Sequence, residues 1–166
     1  MLMEYQPEPH ENLEYCRANS MKRFANYLID FVAFYIILFF IGFVTEILFP
    51  GSVSELNLGP IEDRLLTLFL YGVVMFLIET AFQGKSLGKF ITKTRAVSKN
   101  GEDISIQNLL IRNFMRAVPF NALSALGNPP NPWHDSVSNT LVVDEKKLDL
   151  MNRKETFFDD LKNQKQ

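Results

Sequence analysis

Residues 24–49 read FANYLIDFVAFYIILFFIGFVTEILF, and from Phe31 to Thr45 the run holds no charged residue. A helix rises about 1.5 Å per residue, so this stretch crosses a hydrocarbon core of about 30 Å with some tilt. A soluble helix keeps a polar face at helical period, and residues 31–43 have none. Pro50 and Gly51 end the run. A second window, residues 65–78, is also uncharged and continues through Glu79 to Gln83, enough for a shorter span.

Outward from these spans, the remainder is short. The chain has 166 residues, which allows one domain. A net charge of −2 excludes a generally basic nucleic-acid binder, and no nucleic-acid partner is expected. The single cysteine, Cys16, excludes an internal disulfide and a multi-cysteine metal site. A cleaved signal peptide is not expected, because four Glu residues precede Arg17 and no small-residue cleavage site follows the apolar run.

Basic residues set the expected orientation. Arg17, Lys22 and Arg23 precede the first span, and Lys85, Lys89, Lys93, Arg95 and Lys99 follow the second. The loop between them carries Arg64 against Glu55, Glu62 and Asp63. Positive charge stays inside, so both termini are expected in the cytoplasm and the short loop outside.

Beyond the second span, residues 92–105 read as a cytoplasmic β-hairpin turning at Asn100-Gly101, a dipeptide whose positive φ suits a tight turn. Ser105 then caps a helix with Ile106, Leu109, Leu110, Phe114 and Ala117 on one side and Asn108, Arg112 and Arg116 on the other. Such a helix suits an interface with anionic headgroups, its apolar side toward the acyl chains. Arg112, Arg116 and Pro119 weigh against a third span through residue 126 and favour an interfacial or re-entrant segment, with the third crossing left open. The proline-rich stretch 127–132 returns Trp133, His134 and Asp135 to the surface. Residues 140–143 read as a short strand, and 144–166 as a charged, solvated cytoplasmic tail. The expected fold is therefore an all-α membrane protein with two transmembrane helices, a cytoplasmic hairpin and an interfacial or re-entrant amphipathic helix. Its parts are an N-terminal segment (1–20), a membrane domain (21–143, with spans near 24–49 and 65–83, the hairpin 92–105 and the helix 105–126) and the tail.

Arg23 at the mouth of the first span, Asp30 inside it and the stretch WHDSVSNTLVV containing Asp135 resemble the RDD family of bacterial membrane proteins, named for one Arg and two Asp. GKSLGK at residues 84–89 is similar to the family's Gly-x-Thr-Leu-Gly-Lys stretch, with Ser86 for Thr. The resemblance covers residues 21–143. It implies a bacterial inner-membrane protein of mostly unassigned function, with transport of an unknown ligand or cation/proton exchange suggested for some members.

The residues themselves suggest a polar cluster. Arg23 and Asp30 are seven apart and so lie within about 20° of one helical face, with Asn26 between them. Asp30 lies about 10 Å deeper than Arg23 by helix rise, and Glu79 approaches from the second span at a similar depth. A charge there must be paired, hydrated or protonated. Arg23, Lys89, Arg112 and Arg116 are the candidate bases, with His134 in support. Two uses stand: a structural clasp in a docking component of a membrane complex, or a cation or proton site at Asp30 and Glu79, which needs an oligomer because two spans cannot enclose a polar path. GKS at residues 84–86 is similar to the end of a phosphate-binding loop, but the required first Gly falls on Glu79. No catalytic spacing, metal site or cofactor motif is visible, so an enzyme is not expected.

Overall fold

A computed structural model describes residues 13–53, 55–100, 104–118, 124 and 131–163. The chain is mostly helical. Helix α1, Ser20–Leu48, starts at Asn19, whose side chain accepts from the Lys22 amide at 2.9 Å. Helix α2, Pro60–Ala81, starts with Pro60 in its first turn, and the Glu62 carboxylate accepts from the Gly59 amide at 2.9 Å. In the connection, Glu46 accepts from the amides of Gly51 and Val53 at 2.8 and 3.0 Å. Both helices are long and apolar enough to cross a membrane.

Their burial is inverted relative to a soluble helix. On α1 the buried residues are Arg23, Asn26, Asp30 and Phe34, while Phe39, Phe40 and Ile47 are exposed. On α2 they are Tyr71, Gly72, Met75 and Glu79, while Leu65, Phe69 and Leu77 are exposed. A water-facing protein does the reverse, because apolar area repels water and buried charge is costly.

Helix α3, Leu87–Thr92, follows a turn in which Gln83 and Gly84 both have positive φ. Strand β1, Thr94–Ser98, helix α4, Ile106–Ala117, helix α5, Trp133–Val137, strand β2, Thr140–Asp144, and helix α6, Glu145–Asn163, complete the order. Strands β1 and β2 pair antiparallel from Thr94↔Asp144 to Ser98↔Thr140. This corrects the hairpin expected at 92–105: Ile104 and Ser105 are not in a strand, and 101–103 lie outside the described residues. The reason is apolar. Every position of β2 is buried, and its second edge takes the N-terminal segment through Ala18 N to Val142 O at 2.9 Å and Asp144 N to Cys16 O at 2.8 Å.

Residues on either side of 21–143 pack onto this sheet. Leu13 and Cys16 pack with Leu141 and Val143, and Ala18 with Ala96 and Val142. Asp144 ends β2 and pairs with Lys22 at 2.6 Å, and Leu148 and Met151 of α6 cover the same core, while Phe157 and Leu161 are exposed.

Ser105 caps α4 as expected, accepting from the Asn108 amide at 3.2 Å. Its orientation differs from the expectation in one respect: Arg112 and Arg116 face inward onto the protein, while Ile106, Leu110 and Ile111 face out. The acidic partners on α1 and α2 draw the basic face inward. Along α4, Asn113 meets Glu79, the Phe114 ring packs on Phe69 with centroids 5.8 Å apart, and Ala117 joins Phe34, Tyr71 and Met75. These contacts lay α4 along α2. Gly72 makes room: a Cβ there would lie 3.3 Å from the Phe114 ring. The remainder of the 105–126 segment, apart from Val118 and Ser124, and the turn at 127–130 lie outside the described residues.

Candidate functional site

One face of α1 carries Arg23, Asn26 and Asp30 inward, and α3 is pressed against it. A Cβ on Gly88 would fall 2.5 Å from the Asn26 carbonyl oxygen, so only glycine fits. That approach brings the first turn of α3 to Asp30. Its Oδ1 accepts from the Gly88 amide at 2.8 Å, and its Oδ2 from the Ser86 hydroxyl at 2.7 Å. The Asn26 amide lies among Thr92, Thr94 and the Gly88 carbonyl; turned so that its nitrogen faces Thr92 and Gly88, it is satisfied at both ends. Gly84 has φ 87°, and a Cβ there would lie 2.6 Å from the Ala96 carbonyl oxygen. The spacing of GKSLGK thus has a structural cause at four of its positions: Gly84 for the turn, Ser86 and Gly88 for Asp30, and Lys89 for Glu79.

Helix α4 supplies the bridging bases. Arg116 donates from Nη2 to Asp30 Oδ2 at 2.9 Å and from Nη1 to Glu79 Oε1 at 2.8 Å. Lys89 Nζ donates to Glu79 Oε1 at 2.6 Å and to the Gly84 carbonyl at 3.0 Å. Asn113 donates to Glu79 Oε2 at 3.2 Å, and Arg112 Nε stands 3.3 Å from the same oxygen.

Arg112 carries the network onward, since its Nη1 donates to Asp135 Oδ1 and also to the Thr140 hydroxyl at 2.8 Å. Arg23 Nη1 donates to the other Asp135 oxygen, while its Nε and Nη2 reach the carbonyls of Ala18 and Val142 at 3.2 and 3.3 Å. His134 Nε2 lies 3.3 Å from Asp135 Oδ1. A continuous chain of charge therefore runs from Asp30 through Arg116, Glu79, Arg112 and Asp135 to Arg23, with Asp30 and Asp135 1% exposed and Glu79 0%.

The surroundings set protonation at Asp135, His134 and Lys89. Burial alone would raise the Asp135 carboxyl, but the Arg112 and Arg23 guanidinium groups outweigh it and hold the group well below the usual carboxylate range. Burial, opposed by Asp135 and reinforced by the arginines, pushes His134 well below the ordinary imidazole value and keeps it neutral. For Lys89, burial lowers the ammonium, Glu79 pulls back, and Arg112 and Arg116 add to the depression, leaving it at about 8.

The structure brings together Arg23, Asp30, Glu79, Asp135, Lys89, Arg112 and Arg116, with Asn26 and His134 at the margin. Sequence reasoning missed Ser86, Gly88, Asn113 and Thr140 as partners. The one signal for Ser86 was its position before a short helix, where a hydroxyl caps α3 and also reaches Asp30.

A family model described as the RDD family matches residues 17–144. The chain belongs to the RDD family. RDD proteins are generally membrane proteins, in agreement with the two apolar helices and their exposed apolar surfaces. No curated protein and no solved structure matches the chain. The Arg and two Asp that carried the resemblance, Arg23, Asp30 and Asp135, belong to the single buried network.

Proposed function

We propose that the network is a clasp: it locks α3, α4 and α5 against the cytoplasmic ends of two spans and makes this RDD protein a structural or docking component of a bacterial inner-membrane complex. The observation that carries this reading is the position of Arg116, which holds Asp30 of α1 and Glu79 of α2 at once. Between lipid-solvated helices the hydrophobic effect supplies no association, so close packing and polar bonds must hold them. In this reading both termini are cytoplasmic, the acidic loop 50–64 is external, and the outward apolar face of α4 meets acyl chains near anionic headgroups. The return of Asp135 to Arg23, at the start of α1, supports a re-entrant segment rather than a third crossing. The cluster performs no catalytic step, and a homo-oligomer or another membrane protein docks on the exposed surface.

The alternative, a small oligomeric transporter or cation/proton exchanger using Asp30 and Glu79, requires each carboxylate to leave several donors in every cycle. A double-mutant cycle on Asp30→Asn and Arg116→Gln tests the clasp. A coupling of about 0.5–3 kcal/mol in unfolding is expected for groups in one network, and additive effects would oppose the clasp.

A further inference from the structure

We propose that the hub of the charged network binds a small monovalent anion of halide size. The site is a cavity of about 40 Å³ lined by Arg23, Lys89, Arg112 and Arg116, with Asn26 and His134 beside them. The three carboxylates Asp30, Glu79 and Asp135 sit behind these bases and do not line it. Four cations against three carboxylates leave one positive charge uncompensated among the described members of the network, with His134 neutral. A buried charge without a counter-charge is costly, and an anion removes that cost where a water would not.

Donors are also in surplus. A lysine offers three N–H groups and an arginine five. Among the described residues Lys89 Nζ donates to Glu79 and to the Gly84 carbonyl, which leaves its third N–H for the cavity. On the same scale of volume one water needs about 10–15 Å³, so the space suits a halide and is too small for a nucleotide or sugar phosphate. Burial depresses the Lys89 ammonium, with Arg112 and Arg116 adding to it, and a bound anion would raise it again. Neither the family resemblance nor the clasp requires this site, and it holds whether or not the protein transports anything.

The test uses the full-length protein purified in detergent, with sodium chloride replaced stepwise by sodium gluconate at constant ionic strength. The unfolding temperature should rise saturably with chloride, and the dependence should vanish in Lys89→Met, where the cations match the carboxylates in number. Crystals soaked in bromide should give an anomalous peak between Arg23 and Arg116, a readout that stands even if Lys89→Met fails to fold. A flat chloride response in the wild type, or a response without a bromide peak in the cavity, overturns the site. Nanodiscs in gluconate separate the other source of anionic chemistry: if phosphatidylglycerol but not phosphatidylcholine reproduces the stabilisation and abolishes the chloride effect, the occupant is a lipid phosphate and the free-anion site is wrong.

Discussion

Arg23 and Asp135, 112 residues apart in the sequence, form a buried ion pair. Because Arg112 holds the second oxygen of Asp135, this single carboxylate ties the start of α1 to α4 through α5. Asp135→Asn keeps the shape and removes the charge, stripping Arg23 of this counter-ion and leaving Arg112 with Glu79. Breaking a buried pair in this way costs about 3–5 kcal/mol, which unfolding of the purified protein would read directly. An unchanged unfolding temperature would show that the pair carries no structural load.

Acid should weaken the fold in two steps. His134 is held well below its ordinary 6.5, so the unfolded chain takes up a proton there that the folded chain refuses, and stability falls as pH drops below 6.5. Asp135 is held well below its ordinary 3.8, so its stabilisation is present above 3.8 and is lost as pH falls below that value. Unfolding temperatures measured from pH 7.5 to 3 should show both steps, and His134→Gln should remove the upper one. A wild-type profile flat between pH 6.5 and 5 would mean that His134 titrates normally.

Gly88→Ala should be among the most damaging small substitutions in the chain, because its Cβ would overlap the α1 backbone at Asn26. Overpacking of this kind costs about 1–3 kcal/mol, and loosening α3 also pulls Ser86 from Asp30. Gly42→Ala is the matched control, since a Cβ there meets nothing within 4 Å. Comparable thermal stability in the two variants would refute the close approach of α3 to α1.

The two long helices were legible because residues 31–45 and 65–78 carry no charge, and β2 was legible from its β-branched residues. The hairpin was misread for a physical reason: Asn100-Gly101 is a local turn signal, whereas the partner of β1 is chosen by burial against a strand 46 positions further on at Ala96↔Val142. The two faces of α4 could be read from spacing, but not which one turned inward, since that depends on Asp30 and Glu79 from other helices. Arg23, Asp30 and Glu79 stood out as charges in or beside apolar sequence, and Asp135 through the resemblance to the RDD family. Asn113 and Thr140 did not, because an amide or hydroxyl at an ordinary position gives no sign of the ion it bonds.

Orientation can be checked by cysteine labelling in whole cells. Ser54→Cys should react with an impermeant thiol reagent and Lys162→Cys should not, because the loop at 50–64 is acidic and the basic residues flank the other ends of the spans. Cys16 is fully buried and adds little background. Labelling at position 162 but not 54 would reverse the topology.

The clasp is tested most directly by measuring stability and ion flux together for the wild type and Asp30→Asn in proteoliposomes. Asp30 is bonded by Ser86, Gly88 and Arg116, so the clasp predicts a clear loss of stability in the variant and no cation-driven proton flux above empty liposomes in either protein. A robust flux in the wild type that Asp30→Asn abolishes, with its unfolding temperature unchanged, would contradict the clasp and make Asp30 a transport residue.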